Sequence, residues 1–152
     1  MAYDYEELYV AFLVYFNRDR DYFECHEVLE KLWLARDRDP LYKGLLQAAV
    51  GLYHFRDGNV RGGIILMKRA ADRLKKYPPQ TLGIDLAKLV SELQDYSVRL
   101  DNYEERPFAY YDLTLQVIDQ VLAQEVEAAS SQIKPNIPQR RGPQRSKASK
   151  YK

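Results

Sequence analysis

Apolar residues recur at every third or fourth position along most of this chain. Between Tyr5 and Phe16 they fall at 5, 8, 9, 12, 15 and 16, which places them on one face of an α-helix. No segment alternates apolar and polar residues over a useful length, and such alternation is the pattern of a half-buried strand. The periodicity therefore predicts an all-α protein whose core is built from helix faces.

Capping and helix-breaking residues divide this pattern into separate helices. Asp21, Asp39 and Asn59 are favourable N-cap residues, and Pro40 suits the first position of a helix. The predicted helices span residues 5–16, 22–36, 40–55, 60–76, 84–100 and 112–127. The second and third are joined by a short turn at Asp39-Pro40 and form a central antiparallel hairpin. We therefore predict a compact bundle of five to six helices.

The charge distribution divides the chain into two parts. Residues 130–152 carry seven basic residues and no acid: Lys134, Arg140, Arg141, Arg145, Lys147, Lys150 and Lys152. Residues 1–129 carry 16 basic and 22 acidic residues, a net charge of −6. The basic segment contains too few apolar residues to offset the entropy lost on ordering. We predict a helical domain over 1–129 and a disordered tail over 130–152, which either solubilises the protein or attracts RNA or another anionic surface.

The composition also narrows the cellular context. No apolar run approaches the roughly 20 residues that a transmembrane helix needs. The first seven residues include three acids and lack the basic, apolar character of a secretory signal. The single cysteine cannot form an internal disulfide. These features predict a cytoplasmic protein without a transmembrane segment.

The chain contains two histidines, and both lie on the central hairpin. His26 and His54 are each 14 residues from Pro40, so an antiparallel pairing places them level with each other. Two further predictions follow for the facing helix: Gln47, Gly51 and His54 share a stripe, and Gly51 leaves room there for the partner helix or a ligand. The candidate polar site comprises Glu24, His26, Glu27, Glu30, Trp33, Gln47 and His54.

Three interpretations of this site compete. In the first, the histidines and glutamates form a buried hydrogen-bond network that sets the helix register. In the second, His26, Glu30 and His54 bind a divalent metal, since two imidazoles and one carboxylate are a common ligand set. In the third, a His–Glu pair performs general acid–base chemistry on a small molecule.

The same residues carry a family resemblance. The string Phe23-Glu24-Cys25-His26-Glu27-Val28-Leu29-Glu30 with Trp33, followed by Leu46–His54 and Gly58-Asn59, resembles domain of unknown function 309. This is a family of small helical proteins, and the resemblance covers roughly residues 8–75. It implies a helical fold and locates the site on the hairpin, at Glu24, His26, Glu27, Glu30, Trp33, Gln47 and His54. It implies no particular activity.

Two classes of function follow from these observations. The first is a helical binding or adaptor module with a His/Glu polar site. Its partner could be a protein, and Tyr110-Tyr111 beside Pro107 is the best candidate for an exposed aromatic contact. The alternative is a metal-dependent hydrolase or other small-molecule enzyme that uses His26, Glu30 and His54.

Overall fold

The computed structural model describes residues 4–135, and helices dominate that part of the chain. Six α-helices follow there in order: α1 (Glu7–Val14), α2 (Tyr22–Ala35), α3 (Pro40–Arg56), α4 (Val60–Leu74), α5 (Leu86–Asp101) and α6 (Gln120–Gln132). A π-helical turn, Tyr15–Asp19, continues α1, and a small antiparallel hairpin of β1 (Gln80–Thr81) and β2 (Ile84–Asp85) precedes α5. The predicted all-α class is confirmed.

Helix α3 is the centre of the fold. Of its 17 residues, 13 are buried, as expected for a helix that is apolar around most of its circumference. Helices α2 and α4 both pack against it. Helix α1 packs against α2, and α5 packs against α4. The predicted antiparallel hairpin, α2–α3, therefore lies at the core of the protein.

The predicted N-caps determine where the central helices begin. The side chain of Asp21 accepts a hydrogen bond from the Glu24 amide, and the side chain of Asp39 accepts one from the Leu41 amide. Asn59 accepts one from the Gly62 amide at 2.9 Å. Each bond satisfies an amide that lacks a partner in the first turn of a helix. As a result, α2, α3 and α4 begin at the predicted residues.

The prediction of a helix over 112–127 is confirmed for residues 120–127 but wrong for residues 112–119, which are extended. The amide of Asp85 donates to the Gln116 carbonyl at 2.9 Å, and the amide of Ile118 donates to the Gly83 carbonyl at 2.8 Å. The Asn17 side chain both donates to and accepts from the backbone of Leu115, at 2.9 Å each. These bonds to distant segments replace the local bonds of a helix.

Buried and exposed residues alternate along this extended segment. Leu113 and Leu115 are buried, whereas Asp112, Thr114 and Gln116 are exposed. The alternation directs one face of the segment into the core. Asp119 then caps α6, which begins eight residues after the predicted start at 112.

Helix α6 continues to Gln132, so residues 130–132 of the predicted tail are helical. Residues 136–152, with six of the seven basic residues, lie outside the described part of the chain. No helix within residues 4–135 combines the length and the apolar content that crossing a bilayer requires.

Candidate functional site

Helix α2 carries the first half of the predicted site. The ring of His26 is buried, and its Nδ1 lies 3.2 Å from Oε2 of half-buried Glu27. An ionised carboxylate only accepts hydrogen bonds, so Nδ1 of His26 donates in this contact. The Glu27 carboxylate thus orients the imidazole of His26 on α2.

A third group completes a cluster on this helix. His26, Glu27 and Glu30 each offer a ligand atom, and these atoms all lie within 4.8 Å of one another. One imidazole and two carboxylates suit a divalent transition metal. Glu27 is an addition to the predicted metal set of His26, Glu30 and His54, and His54 is not a member of this cluster.

Glu24, at the beginning of α2, lies close to other acids. Burial raises the pKa of its carboxyl group, and Asp21 and Glu27 raise it further. Its backbone amide donates to the capping carboxylate of Asp21. Acidic side chains are therefore concentrated in the first two turns of α2.

Trp33 contacts a cation from α3. The ammonium of Lys43 lies 4.5 Å from the centre of the indole, and the Arg38 guanidinium lies 5.2 Å from it. Burial lowers the pKa of Lys43, and the positive charges of Arg73 and Arg69 lower it further, while Glu30 opposes the shift. The pKa of Lys43 therefore responds to an acid of α2 and to arginines of α4.

The stripe formed by Gln47, Gly51 and His54 faces α4, so the expectation that Gly51 leaves room beside α2 is wrong. A methyl group added at Gly51 would lie 2.8 Å from Met67 Cγ and 3.6 Å from the Gly63 carbonyl oxygen, both on α4. Buried Gln47 accepts a 3.0 Å hydrogen bond from Nε of Arg73. Because Gly51 has no side chain, α3 makes its close approach at this point with α4 and not with α2.

His54 is held at the beginning of α4. Oδ1 of Asn59 accepts from the Gly62 amide, so Nδ2 of Asn59 is the atom that faces His54 Nδ1, at 3.3 Å. Nδ1 must accept this bond, which leaves the hydrogen of the neutral ring on Nε2. Gly62 permits this arrangement, since a methyl group there would come within 3.0 Å of His54 Cγ.

A cavity of about 300 Å³ opens beside His54. Its walls are formed by His54 and Asn59 together with Arg61, Gly62, Ile65, Leu66 and Arg69 of α4. These arginines are not among the site residues predicted from the sequence. A signal was available, because Arg61, Ile65, Arg69 and Arg73 recur every four residues and so lie along one stripe of α4.

The proposed exposed aromatic contact at Tyr110-Tyr111 is also wrong. Tyr111 stacks on buried Tyr96 with ring centres 4.2 Å apart. Tyr110 donates a 2.8 Å hydrogen bond to Asp112, which also accepts one of 2.6 Å from Tyr22. Both tyrosines are half-buried at the edge of the hydrophobic core.

Comparisons with known proteins support the family resemblance. The model of the family described as domain of unknown function (DUF309) matches residues 9–66. The uncharacterized protein YpuF of Bacillus subtilis (strain 168) is 32% identical over 123 residues, covering 78% of this chain and 68% of YpuF. An uncharacterized protein of Aquifex aeolicus (strain VF5) is 30% identical over 78 residues, which are 49% of this chain but 23% of that protein. No solved structure matches the chain significantly. The extent of the match to YpuF, together with the family model over the motif-bearing hairpin, means that the chain belongs to the DUF309 family.

Proposed function

We propose that this protein is a binding module whose ligand occupies the polar surface of α3 and its margins with α2 and α4. The observation that carries the proposal is the charge arrangement around Lys43. Lys43 is half-buried, burial and the charges of Arg73 and Arg69 lower the pKa of its ammonium, and Glu30 opposes this shift.

The repulsion among these cations opposes folding, although Lys43 also contacts Trp33. Cations that share a partly buried region repel one another, and burial adds a desolvation cost. Groups retained at a cost in stability are concentrated at functional sites. The acids of α2 and the arginines of α4 then form two oppositely charged margins around the same helix, which favours a small charged ligand.

A protein partner, as an adaptor would have, receives less support. The large apolar side chains exposed in residues 4–135 come from several elements rather than one helix face: Leu34, Ile65, Val98, Ile118 and Val121. A docking surface for a stable partner normally has a contiguous apolar centre. We therefore favour a small ligand over an adaptor role.

The test is a stability measurement combined with a ligand panel. Lys43→Met retains the apolar stem on Trp33 and removes the charge, so we expect the melting temperature of the full chain to rise by about 2–4 °C. Lys88→Met is the control, because Lys88 pairs with Glu92 at 3.0 Å and its loss should produce no such rise. A fall in melting temperature for Lys43→Met would show that the charge is required structurally.

The panel consists of Zn²⁺, Mn²⁺, inorganic phosphate and citrate, each added to the wild-type chain. Since the protein has two histidines and one tryptophan, the ring resonances of His26, His54 and Trp33 report separately on α2 and α3. At least one compound should shift a ring resonance saturably. If none does, and Lys43→Met is destabilising, the binding function is refuted.

The alternative is a metal-dependent hydrolase or other small-molecule enzyme, and the cluster of His26, Glu27 and Glu30 is the observation that favours it. Three protein ligands leave further coordination positions for water and substrate. A bound divalent ion would lower the pKa of such a water and make it a nucleophile. In this alternative His54 acts from α3, either as a ligand or as a donor toward the substrate.

Metal analysis of tag-free protein tests the alternative. If His26, Glu27 and Glu30 are the ligands, His26→Gln and Glu30→Gln should lose a stoichiometric metal that His54→Gln retains. Loss in His54→Gln as well would support the set His26, Glu30 and His54. Wild-type protein that binds no Zn²⁺ or Mn²⁺ at micromolar concentrations would exclude both metal sites.

A further inference from the structure

We propose that the cavity between His54 and α4 binds a phosphate group, carried by a small phosphomonoester or present as inorganic phosphate. The inference deepens the proposed binding function and rests on it, since it names the ligand chemistry at the α4 margin. Four features of the cavity support it: its charge, the spacing of its cations, its hydrogen-bond donors and its size.

The walls of the cavity contain cations and no carboxylate. Arg61 and Arg69 belong to the lining, whose other members are neutral if His54 is neutral. Across residues 4–135, no carboxylate lies within ion-pair distance of either guanidinium. By contrast Arg18, Arg20 and Arg36 each pair with an acid. Within the described residues, therefore, neither cavity arginine forms an ion pair that would compete with an anionic ligand.

The spacing of the two arginines suits a ligand that lies along α4. They are separated by eight residues, a rise of about 12 Å along the helix, and Ile65 lies midway between them. Both arginine side chains line the same cavity as Ile65, so an anion in the cavity lies in the field of two cations. A planar guanidinium also matches two phosphate oxygens at once, which a lysine ammonium does not.

The imidazole of His54 favours the same chemistry. Its contact with Asn59 makes Nδ1 an acceptor and puts the ring hydrogen on Nε2. A hydrogen on Nε2 is compatible with an anionic ligand in this cavity, whereas a lone pair there would repel one. Asn59, the N-cap of α4, is itself part of the cavity wall. Its hydrogen bond to His54 therefore orients two neighbouring residues of the wall.

The size and the apolar content of the cavity favour a small molecule over a polymer. A volume of about 300 Å³ is at the lower end of the range for small-molecule sites. Ile65 is 38% exposed and Leu66 also lines the cavity, so a small organic moiety beside the phosphate would cover apolar surface. A nucleic-acid backbone would need a longer cationic track with aromatic platforms.

Acidic residues nearby limit how far the positive region extends. Arg61 also lines a neighbouring cavity of about 480 Å³ whose rim includes Asp101, Glu104 and Glu105. Asp101 is paired with Lys68 at 3.1 Å. The favourable potential is therefore confined to the His54 side of Arg61, which again suits a compact anion.

The experiment is an NMR titration of the full-length protein with inorganic phosphate and with glycerol 3-phosphate, using sodium chloride at equal ionic strength as the reference. We expect saturable shifts of the His54 ring resonances and little change at His26. Arg61→Gln and Arg69→Gln should each weaken binding at least tenfold. Both residues are exposed, so the melting temperature of these variants should stay close to that of the wild type.

Lys76→Gln is the matched control, because Lys76 is an exposed cation beyond the end of α4 and outside the cavity lining. An equal loss of affinity in Lys76→Gln would overturn the proposal by revealing nonspecific attraction. So would a His54 response to phosphate no larger than the response to chloride. Stronger binding of glycerol 3-phosphate than of inorganic phosphate identifies a phosphomonoester as the ligand, and equal binding identifies the phosphate group alone.

Two further outcomes separate this inference from the broader function. If phosphate fails but Mn²⁺ broadens the His26 resonances, the phosphate site is refuted while ligand binding on this surface stands. If an oligonucleotide shifts His54 and inorganic phosphate does not compete with it, the ligand is a polymer and the inference is wrong.

Discussion

Nδ1 of His26 and Nδ1 of His54 make hydrogen bonds of opposite direction. Nδ1 of His26 donates to the Glu27 carboxylate at 3.2 Å, whereas Nδ1 of His54 accepts from the Asn59 amide at 3.3 Å. The ring hydrogen of His54 therefore lies on Nε2. The two rings are held by different neighbours, since Glu27 belongs to α2 and Asn59 caps α4.

The Asn59 contact gives the first prediction. Asn59→Asp retains a strong N-cap oxygen but replaces the amide donor with an acceptor. We expect the hydrogen of His54 to move from Nε2 to Nδ1, with no change at His26. Long-range ¹H–¹⁵N spectra of the two rings distinguish these tautomers directly. An unchanged His54 tautomer in Asn59→Asp would show that another contact determines it.

Loss of the cap itself should be visible in stability. Asn59→Ala removes the acceptor for the Gly62 amide and should lower the free energy of unfolding by about 1 kcal/mol. Asn59→Asp should cost much less, because aspartate caps helices as well as asparagine does. Chemical denaturation of both variants measures the difference, and equal losses would rule out capping as the main contribution.

A second structural prediction concerns the approach of α4 to Gly51. Gly51→Ala would place a methyl group 2.8 Å from Met67 Cγ, and overpacking of this kind costs about 1–3 kcal/mol. Met67→Ala alone should destabilise by leaving a cavity. The double variant should be more stable than the sum of the two single losses predicts. Strictly additive losses in denaturant unfolding would contradict the close contact.

The fourth prediction is a pH dependence at Asp112. Burial raises the pKa of this carboxyl group, but hydrogen bonds from Tyr22 and Tyr110 and the charges of Arg20 and Arg56 outweigh burial and lower the pKa below its usual value of 3.8. A carboxyl group whose pKa is lower in the folded state stabilises the fold above its unfolded pKa. That stability should disappear as the pH falls below about 4 and through the lower folded value.

Denaturant unfolding of the wild type and of Asp112→Asn between pH 6 and pH 2 measures this effect. The wild type should lose more stability than the variant across the acidic part of that range. Tyr22→Phe, which removes one hydrogen-bond donor, should give an intermediate slope. Parallel curves for the wild type and Asp112→Asn would show that the carboxylate contributes nothing to acid sensitivity.

The basic tail gives the last prediction. Truncation after Pro135 preserves all of α6 and removes six basic residues, Arg140 to Lys152. If the tail contacts phosphates, full-length protein should bind single-stranded RNA more tightly than the truncated chain. The logarithm of its affinity should fall with the logarithm of salt concentration, by about 0.7 per phosphate contacted. Equal retention of both proteins on RNA would end this interpretation.

The sequence predicted the central helices well because their boundaries are local. Asp21, Asp39 and Asn59 each accept a hydrogen bond from an amide two or three residues away, so a short window contains the whole interaction. Helix α5 begins at Leu86 rather than at residue 84, because Ile84 and Asp85 pair with β1. The family resemblance rests on the same local string around His26.

The conformation of the extended segment before α6 could not be predicted from local interactions. Leu113 and Leu115 alternate with polar neighbours, but their backbone partners lie at Arg20 and Asn17, more than 90 residues away in sequence. An isolated short strand has no stability of its own. Tertiary contacts therefore decided between helix and strand for this segment.

The sequence alone determined the helical class, the capped central hairpin and the residues of the His26 cluster, because periodicity and capping act within one or two turns. Only the tertiary structure decided which helix each face meets. The stripe of Gln47, Gly51 and His54 was predictable as a stripe, yet it turns toward α4 because Gly51 admits Met67 and because Arg73 reaches Gln47. Packing energies between helices, which no local pattern encodes, thereby brought the arginines of α4 to His54.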